Sequence, residues 1–243
     1  MDLAIDIGNN YTKLAVFKGS ELVYSAAYKK FKQKDLMDLY GKYTIERAIL
    51  SEVSGDKIKT ENYIKEHSAY LKLDTDTPLP INNQYKTPKT LGKDRIAAAV
   101  GAKALYPDDD VLVIDAGTCI TYELATADNE YKGGGISPGI RMRFKALKRY
   151  TGRLPLLEKE QIDYLIGGNT QESMLSGVIN GTAAEINGII QRYRELYPGI
   201  KVVLTGGDSK FFESYVKSDI FVVPYLVLYG LHKILLHNAA SIR

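Results

Sequence analysis

The chain has 243 residues, 45% hydrophobic and 25% charged, the balance of a globular protein with room for one large core or two smaller ones. A formal net charge of +3 is too mild for a nucleic-acid binder, and no basic run interleaved with aromatics is present to follow a phosphate backbone. One cysteine, Cys119, excludes an intrachain disulfide and fits a reducing compartment. The chain opens without a basic flank and long apolar stretch, and its longest apolar run, Ile220 to Leu228, holds Pro224 and is too short to span a bilayer. A cytoplasmic protein with neither nucleic acid nor membrane as partner is expected.

In chain order, Leu3 to Ile7 reads as a buried strand, Gly8-Asn9-Asn10 as a turn, Tyr11 to Phe17 as a second strand and Leu22 to Ala27 as a third, an antiparallel meander. The basic cluster Lys29 to Lys34 is a solvated loop or helix start. Helices are expected over Gln33–Tyr40 and Asp56–His67, with a strand at Arg47–Ser51 between them. Asp74 to Lys89, with three prolines, is an extended connection. The Ala-rich run within Asp94–Leu105 predicts a tightly packed helix.

The opening pattern then returns. Val111 to Asp115 is a buried strand, Ala116-Gly117-Thr118 a turn and Cys119 to Leu124 a second strand. The unit of apolar strand, Asp-x-Gly, polar turn and strand therefore occurs twice, at Asp6 and at Asp115. Gly133 to Gly139 reads as a loop. Helices follow near Arg141–Tyr150 and Gln171–Tyr197, and a strand, Val202 to Leu204, enters Thr205-Gly206-Gly207-Asp208. Two similar α/β halves are expected, residues 1–107 and 108–243, with a cleft between them.

Phosphate binding wants backbone N–H groups converging in a tight turn, a carboxylate at a strand end to hold Mg²⁺ through water, and a cation or hydroxyl for the terminal oxygens. Asp6, the Gly8–Asn10 turn, Thr12 and Lys13 supply these within eight residues. An Asn-rich hairpin is the alternative for this segment alone, and the second unit at Asp115 weighs against it. Gly206-Gly207 suits a flat ring lying against backbone, as in adenosine, or an ordinary strand-to-helix turn. No Gly-x4-Gly-Lys-Ser/Thr loop and no Gly-x-Gly-x-x-Gly fingerprint is present. The three histidines and Cys119 form no zinc pattern, and Cys119 reads as a small core residue.

Asp6-x-Gly8-Asn9-x-x-x-Lys13, Gly92-Lys93-Asp94-Arg95, Asp115-x-Gly117-Thr118 with Thr121, Gly133-Gly134-x-Ile136-x-Pro138-Gly139, Asn169-Thr170 before Met174-x-Ser176-Gly177, and Thr205-Gly206-Gly207 stand in the order found in type III pantothenate kinases. The chain resembles that family over nearly its whole length. Asn10 departs from the Thr or Ser more frequent there.

The resemblance implies an α/β fold of two similar actin-like (ribonuclease H-like) halves, each a mixed sheet flanked by helices, with an interdomain nucleotide cleft. It implies phosphorylation of pantothenate by ATP, the opening step of coenzyme A synthesis. Carried over by position, Asp6, Ile7, Gly8, Asn9, Asn10, Tyr11, Thr12 and Lys13 grip the ATP phosphates, with Asp6 near Mg²⁺, and Thr118 contacts ATP. Asp94 is the general base; Tyr85, Gly92, Lys93 and Arg95 shape or contact the substrate site. Asp115 matches the site of a monovalent cation, K⁺ or NH₄⁺. Thr170 matches a pantothenate contact supplied by a partner subunit, which implies a homodimer. The alternatives are a kinase of the same fold acting on a sugar or another small alcohol, and a nucleotide-binding regulator without turnover, against which an intact Asp94 speaks.

Overall fold

The computed structural model of the chain describes residues 1–52 and 58–242, residues 58 and 59 by their backbone alone. Strands β1 (Asp2–Ile7), β2 (Thr12–Lys18) and β3 (Glu21–Tyr28) form the expected meander, and helix α1 (Gln33–Lys42) leads on to β4 (Arg47–Glu52). Helix α2 (Ile58–His67) precedes β5 (Ala69–Lys72); Asp56 and Lys57, where this helix was expected to start, lie outside the described residues. β1 pairs antiparallel with β2 on one side and parallel with β4 on the other, and the sheet order is β3-β2-β1-β4-β5.

β1, apolar but for Asp2 and Asp6, is buried on both faces. One face, Leu3, Ile5 and Ile7 with Leu14, Val16 and Leu50, packs on Leu36, Leu39 and Ile64 of α1 and α2. After β6 (Asn82–Asn83) and a 3-10 turn (Pro88–Thr90) comes α3 (Lys93–Leu105), which packs on β4 and against the last helix, α7 (Leu226–His237); α7 also covers β1 and β2. The α3–α7 approach is close because the side chains between them are small. A Cβ on Gly230 would stand 1.7 Å from the Ala97 carbonyl oxygen. A polar cluster around the buried Asp2 fixes the register of α7. Asp2 accepts from Arg47 Nε and Nη2 at 2.8 and 2.9 Å, lies 3.0 Å from His232 Nε2, and the His232 ring stacks on Phe17.

The later segments repeat this plan. β7 (Val111–Ala116) pairs antiparallel with β8 (Cys119–Ala125) and parallel with β10 (Lys201–Thr205), with β9 (Glu130–Pro138) beyond β8 and β11 (Phe221–Val222) beyond β10. The order β9-β8-β7-β10-β11 matches β3-β2-β1-β4-β5 position for position. Helices α4 (Ile140–Tyr150), α5 (Thr170–Leu196) and α6 (Ser209–Glu213) supply Ile140, Phe144, Ile179, Ile186 and Phe212 to the core of this sheet.

The contacts divide the chain into two compact units, Met1–Pro107 with Asp128–Lys132 and Tyr225–Arg243, and Asp108–Ala127 with Gly133–Pro224. The division differs from the continuous second domain expected from sequence. α7 returns to the first unit, where its apolar face finds α3 and β1, and Glu130 and Tyr131 pair in parallel with β6. Gly133–Gly139 also differs from expectation, being β9 as far as Pro138 instead of a loop. Gly134 serves close approach there, since a Cβ would lie 1.6 Å from the Tyr122 carbonyl oxygen. Among the described residues no helix is long and apolar enough to cross a membrane.

Candidate active site

In the first unit the Asp6–Lys13 segment is the end of β1, a four-residue turn and the start of β2. Asp6 is 6% exposed and lies opposite Lys13 in the register; Ile7 is buried opposite Thr12, itself 3% exposed. The Gly8 N–H donates to the Tyr11 carbonyl at 3.0 Å and closes the turn, leaving Asn9, Asn10 and Tyr11 exposed at its tip. A buried carboxylate and a lysine thus stand side by side below an accessible turn, the donor set expected for a nucleotide carrying a divalent cation. Among the described residues no group of three or more His, Cys, Asp or Glu side chains is placed to hold a metal. A cation carried in on phosphate oxygens needs only one or two carboxylates from the protein, so Asp6 alone fits this role.

The first turn of α3 gathers the substrate candidates. Gly92 is the N-cap, followed by Lys93, Asp94 and Arg95. The Asp94 Oδ1 accepts the Arg95 backbone N–H at 2.9 Å, and the half-buried carboxylate stands at the N-terminal end of the helix. A Cβ on Gly92 would lie 2.6 Å from that same oxygen, so glycine makes room for the carboxylate. Arg95 is buried, with its guanidinium carbon 5.4 Å from the Tyr85 ring centroid and Nη1 3.5 Å from the Tyr85 hydroxyl. The Tyr85 N–H donates to Asn83 Oδ1, next to the β6–β9 pairing. The structure therefore joins Tyr85 to the Gly92–Arg95 turn across ten residues of chain.

In the second unit three glycine motifs converge on Asp115. The carboxylate is half-buried at the end of β7, opposite Thr121 and Thr205. Gly117 donates to the Cys119 carbonyl at 2.9 Å, closing the turn that exposes Thr118. Gly206 has φ +94°, and a Cβ there would stand 2.4 Å from both Asp115 Oδ1 and the Ala116 carbonyl oxygen. Gly139 is equally confined, 2.4 Å from the Gly117 carbonyl by the same construction, and its N–H donates to Thr118 at 3.2 Å. Gly207, in contrast, faces open space. Cys119 is half-buried with Sγ 3.8 Å from Met142 Sδ, less enclosed than the core position expected for it.

Thr170 opens α5 behind Asn169, whose side chain caps the helix by accepting the Glu172 N–H at 3.0 Å. It lines a groove of about 950 Å³ between α4 and α5, with Met142, Leu147, Tyr150, Leu154, Met174 and Val178. Sequence reasoning missed the polar network at this groove. Glu185 accepts from Arg143 Nη2 at 2.5 Å and from the Tyr122 hydroxyl at 2.9 Å, and Arg143 also donates to Ser137 Oγ and the Pro138 carbonyl. Burial opposes ionisation of Glu185, but Arg143, Ser137 and Tyr122 together hold its carboxyl below the usual range. Burial, then Glu185, pushes the Tyr122 hydroxyl far up. These residues lie up to 63 positions apart, and no local pattern marks them.

Solved structures share the repeated topology. A Campylobacter jejuni protein described as a Baf family transcriptional activator superposes with a TM-score of 0.63 at 22% identity, covering 98% of this chain and 99% of its own. A Listeria monocytogenes protein described as an N-acetylmannosamine kinase gives 0.54 at 14% identity, covering 98% of this chain and 99% of its own. At such identities the likeness establishes the actin-like fold and leaves activity to the site. Sequence relatives are nearer. Type III pantothenate kinases of Christiangramia forsetii and Phocaeicola vulgatus are 42% and 43% identical over 240 and 243 residues, each alignment covering 98% of this chain and 99% of the relative. The sequence profile of that family matches residues 2–192, a span holding the β1–β2 turn, the Gly92–Arg95 helix start, the Asp115 turn and Thr170. With these motifs folded into two copies of one α/β unit, the chain belongs to the type III pantothenate kinase family.

Proposed function

We propose that this chain transfers the terminal phosphoryl group of ATP to the primary hydroxyl of pantothenate, giving 4′-phosphopantothenate and ADP, the first step of coenzyme A synthesis. The observation that carries the reading is the start of α3, where Gly92 leaves room for an Asp94 carboxylate beside the Arg95–Tyr85 pair. Asp94 orients the substrate hydroxyl and accepts its proton as the phosphoryl group leaves ATP; a carboxylate suffices because little proton transfer is needed in a loose transition state. Arg95 and Tyr85 hold the substrate, with Gly92 and Lys93 shaping the turn. Residues Asp6 to Lys13 take the phosphates, Lys13 neutralising charge on the terminal oxygens. Mg²⁺ bound with ATP supplies further charge neutralisation, and Asp6 holds its hydration shell.

Asp115, with the carbonyls of its turn, offers hard oxygen donors of the kind a K⁺ or NH₄⁺ ion takes, and Thr118 contacts ATP. Gly207, open on its free face, accepts the adenosine ring. The protein acts in the cytoplasm as a homodimer in which Thr170 reaches the substrate of the partner subunit. Support for the dimer is the α4–α5 groove, where Tyr150 is 81% and Met142 41% exposed. The test is a coupled ADP-release assay with pantothenate against a panel of sugars and small alcohols. Turnover confined to pantothenate is expected; preference for a sugar would overturn the substrate assignment.

A further inference from the structure

Strand register sets three polar residues in one row across the first unit's sheet. Lys13 of β2 lies opposite Asp6 of β1, and Asp6 lies opposite Ser51 of β4. Directly paired residues point to the same face of a sheet. By alternation this is the face of Asp2, Ala4 and Ile49, which α7 covers and onto which α3 packs at β4. The next row along the strands is Ala15, Ala4 and Ile49, which separates this polar row, at the carboxyl ends of β1 and β4, from the Asp2–Arg47 pair at their other ends. Ligands of open α/β sheets bind beyond those ends.

Ser51 is fully buried, and its Oγ has no hydrogen-bond partner among the described residues. A buried hydroxyl without a partner destabilises the fold, and alanine would fill the same place without that cost. A serine is explained if a partner arrives with a ligand. The hydration shell of a divalent cation brings water protons in need of acceptors, and a serine oxygen offers two lone pairs.

We infer that Ser51 is a positioning residue of the nucleotide site, its hydroxyl hydrogen-bonding the hydrated divalent cation that enters with ATP beside Asp6. The inference rests on the assignment of Asp6 to that cation made above. Isothermal titration with ATP, once with Mg²⁺ and once with EDTA, separates the two. In Ser51→Ala the affinity for ATP with Mg²⁺ falls about five- to tenfold, the affinity in EDTA is unchanged, and thermal stability is equal or higher. Ser51→Cys, close in volume and a poor acceptor, shows the same selective loss and serves if the alanine variant misfolds. Equal affinity to wild type with Mg²⁺, or an equal loss with and without it, overturns the role of Ser51 while wild-type Mg²⁺ dependence and its loss in Asp6→Asn leave the Asp6 assignment intact. A wild-type protein that binds ATP alike in both buffers overturns the Asp6 assignment and the inference with it.

Discussion

Gly92→Ala separates the geometry of the proposed base from its chemistry. The Gly92 backbone, at φ −58° and ψ 129°, is open to any L-residue, so the substitution introduces no backbone strain. The added Cβ would sit 2.6 Å from Asp94 Oδ1, and the carboxylate must turn away. Turning breaks its 2.9 Å hydrogen bond from the Arg95 N–H. A charge-assisted hydrogen bond at a half-exposed position contributes about 1–2 kcal/mol. Replacing glycine recovers about 0.4–1 kcal/mol through the unfolded chain. The net loss is about 1 kcal/mol, or about 2–4 °C of melting temperature in a chain of this length. Turnover responds far more, because a displacement of about 1 Å in a reacting group costs about 10²-fold. Asp94→Asn, which keeps the shape and removes the base, is expected to lose about 10²–10⁴-fold. The assay is ADP release at saturating ATP and pantothenate, with a thermal melt of each variant. Gly92→Ala should lose about a hundredfold in kcat with little change in KM for ATP. Turnover within about twofold of wild type, while Asp94→Asn is impaired, would refute the argument that Gly92 exists to place the carboxylate.

Gly206→Ala should destabilise the second unit by about 2–4 kcal/mol, from left-handed backbone strain and the clash with Ala116 and Asp115; a melting temperature within about 2 °C of wild type would contradict the close approach. Omitting both K⁺ and NH₄⁺ should depress turnover, and indifference to both would remove the cation from Asp115. Stability should fall on acidification through His232. Burial holds its folded pKa below the usual value despite the pull of Asp2, so the unfolded imidazole, near about 6.5, binds its proton first. That contribution is complete above about pH 6.5 and is lost as pH drops towards the folded value, so the urea midpoint should fall from pH 7 to about pH 5.5 and flatten in His232→Asn. Tyr150→Glu should halve the mass seen by light scattering, and an unchanged mass would take the α4–α5 groove out of the dimer interface.

What the sequence determined by itself is local. An apolar run ending in aspartate, a turn of small residues and a second strand can be read within fifteen residues, because hydrophobic period and turn chemistry act over that range; it was legible at both Asp6 and Asp115. The Ala-rich α3 with Asp94 at its start was legible for the same reason. Tertiary structure decided the rest. The parallel partners β4 and β10, the seating of Gly206 and Gly139 against the Asp115 turn, and the Arg95–Tyr85 contact all join residues brought together by packing. Glycine carries no local mark of which backbone will press against it, so Gly134 reads as loop and folds as strand. The return of α7 to the first unit follows from the fit of Gly230 against Ala97 and of His232 against Asp2, and no window along the chain contains both partners of either contact.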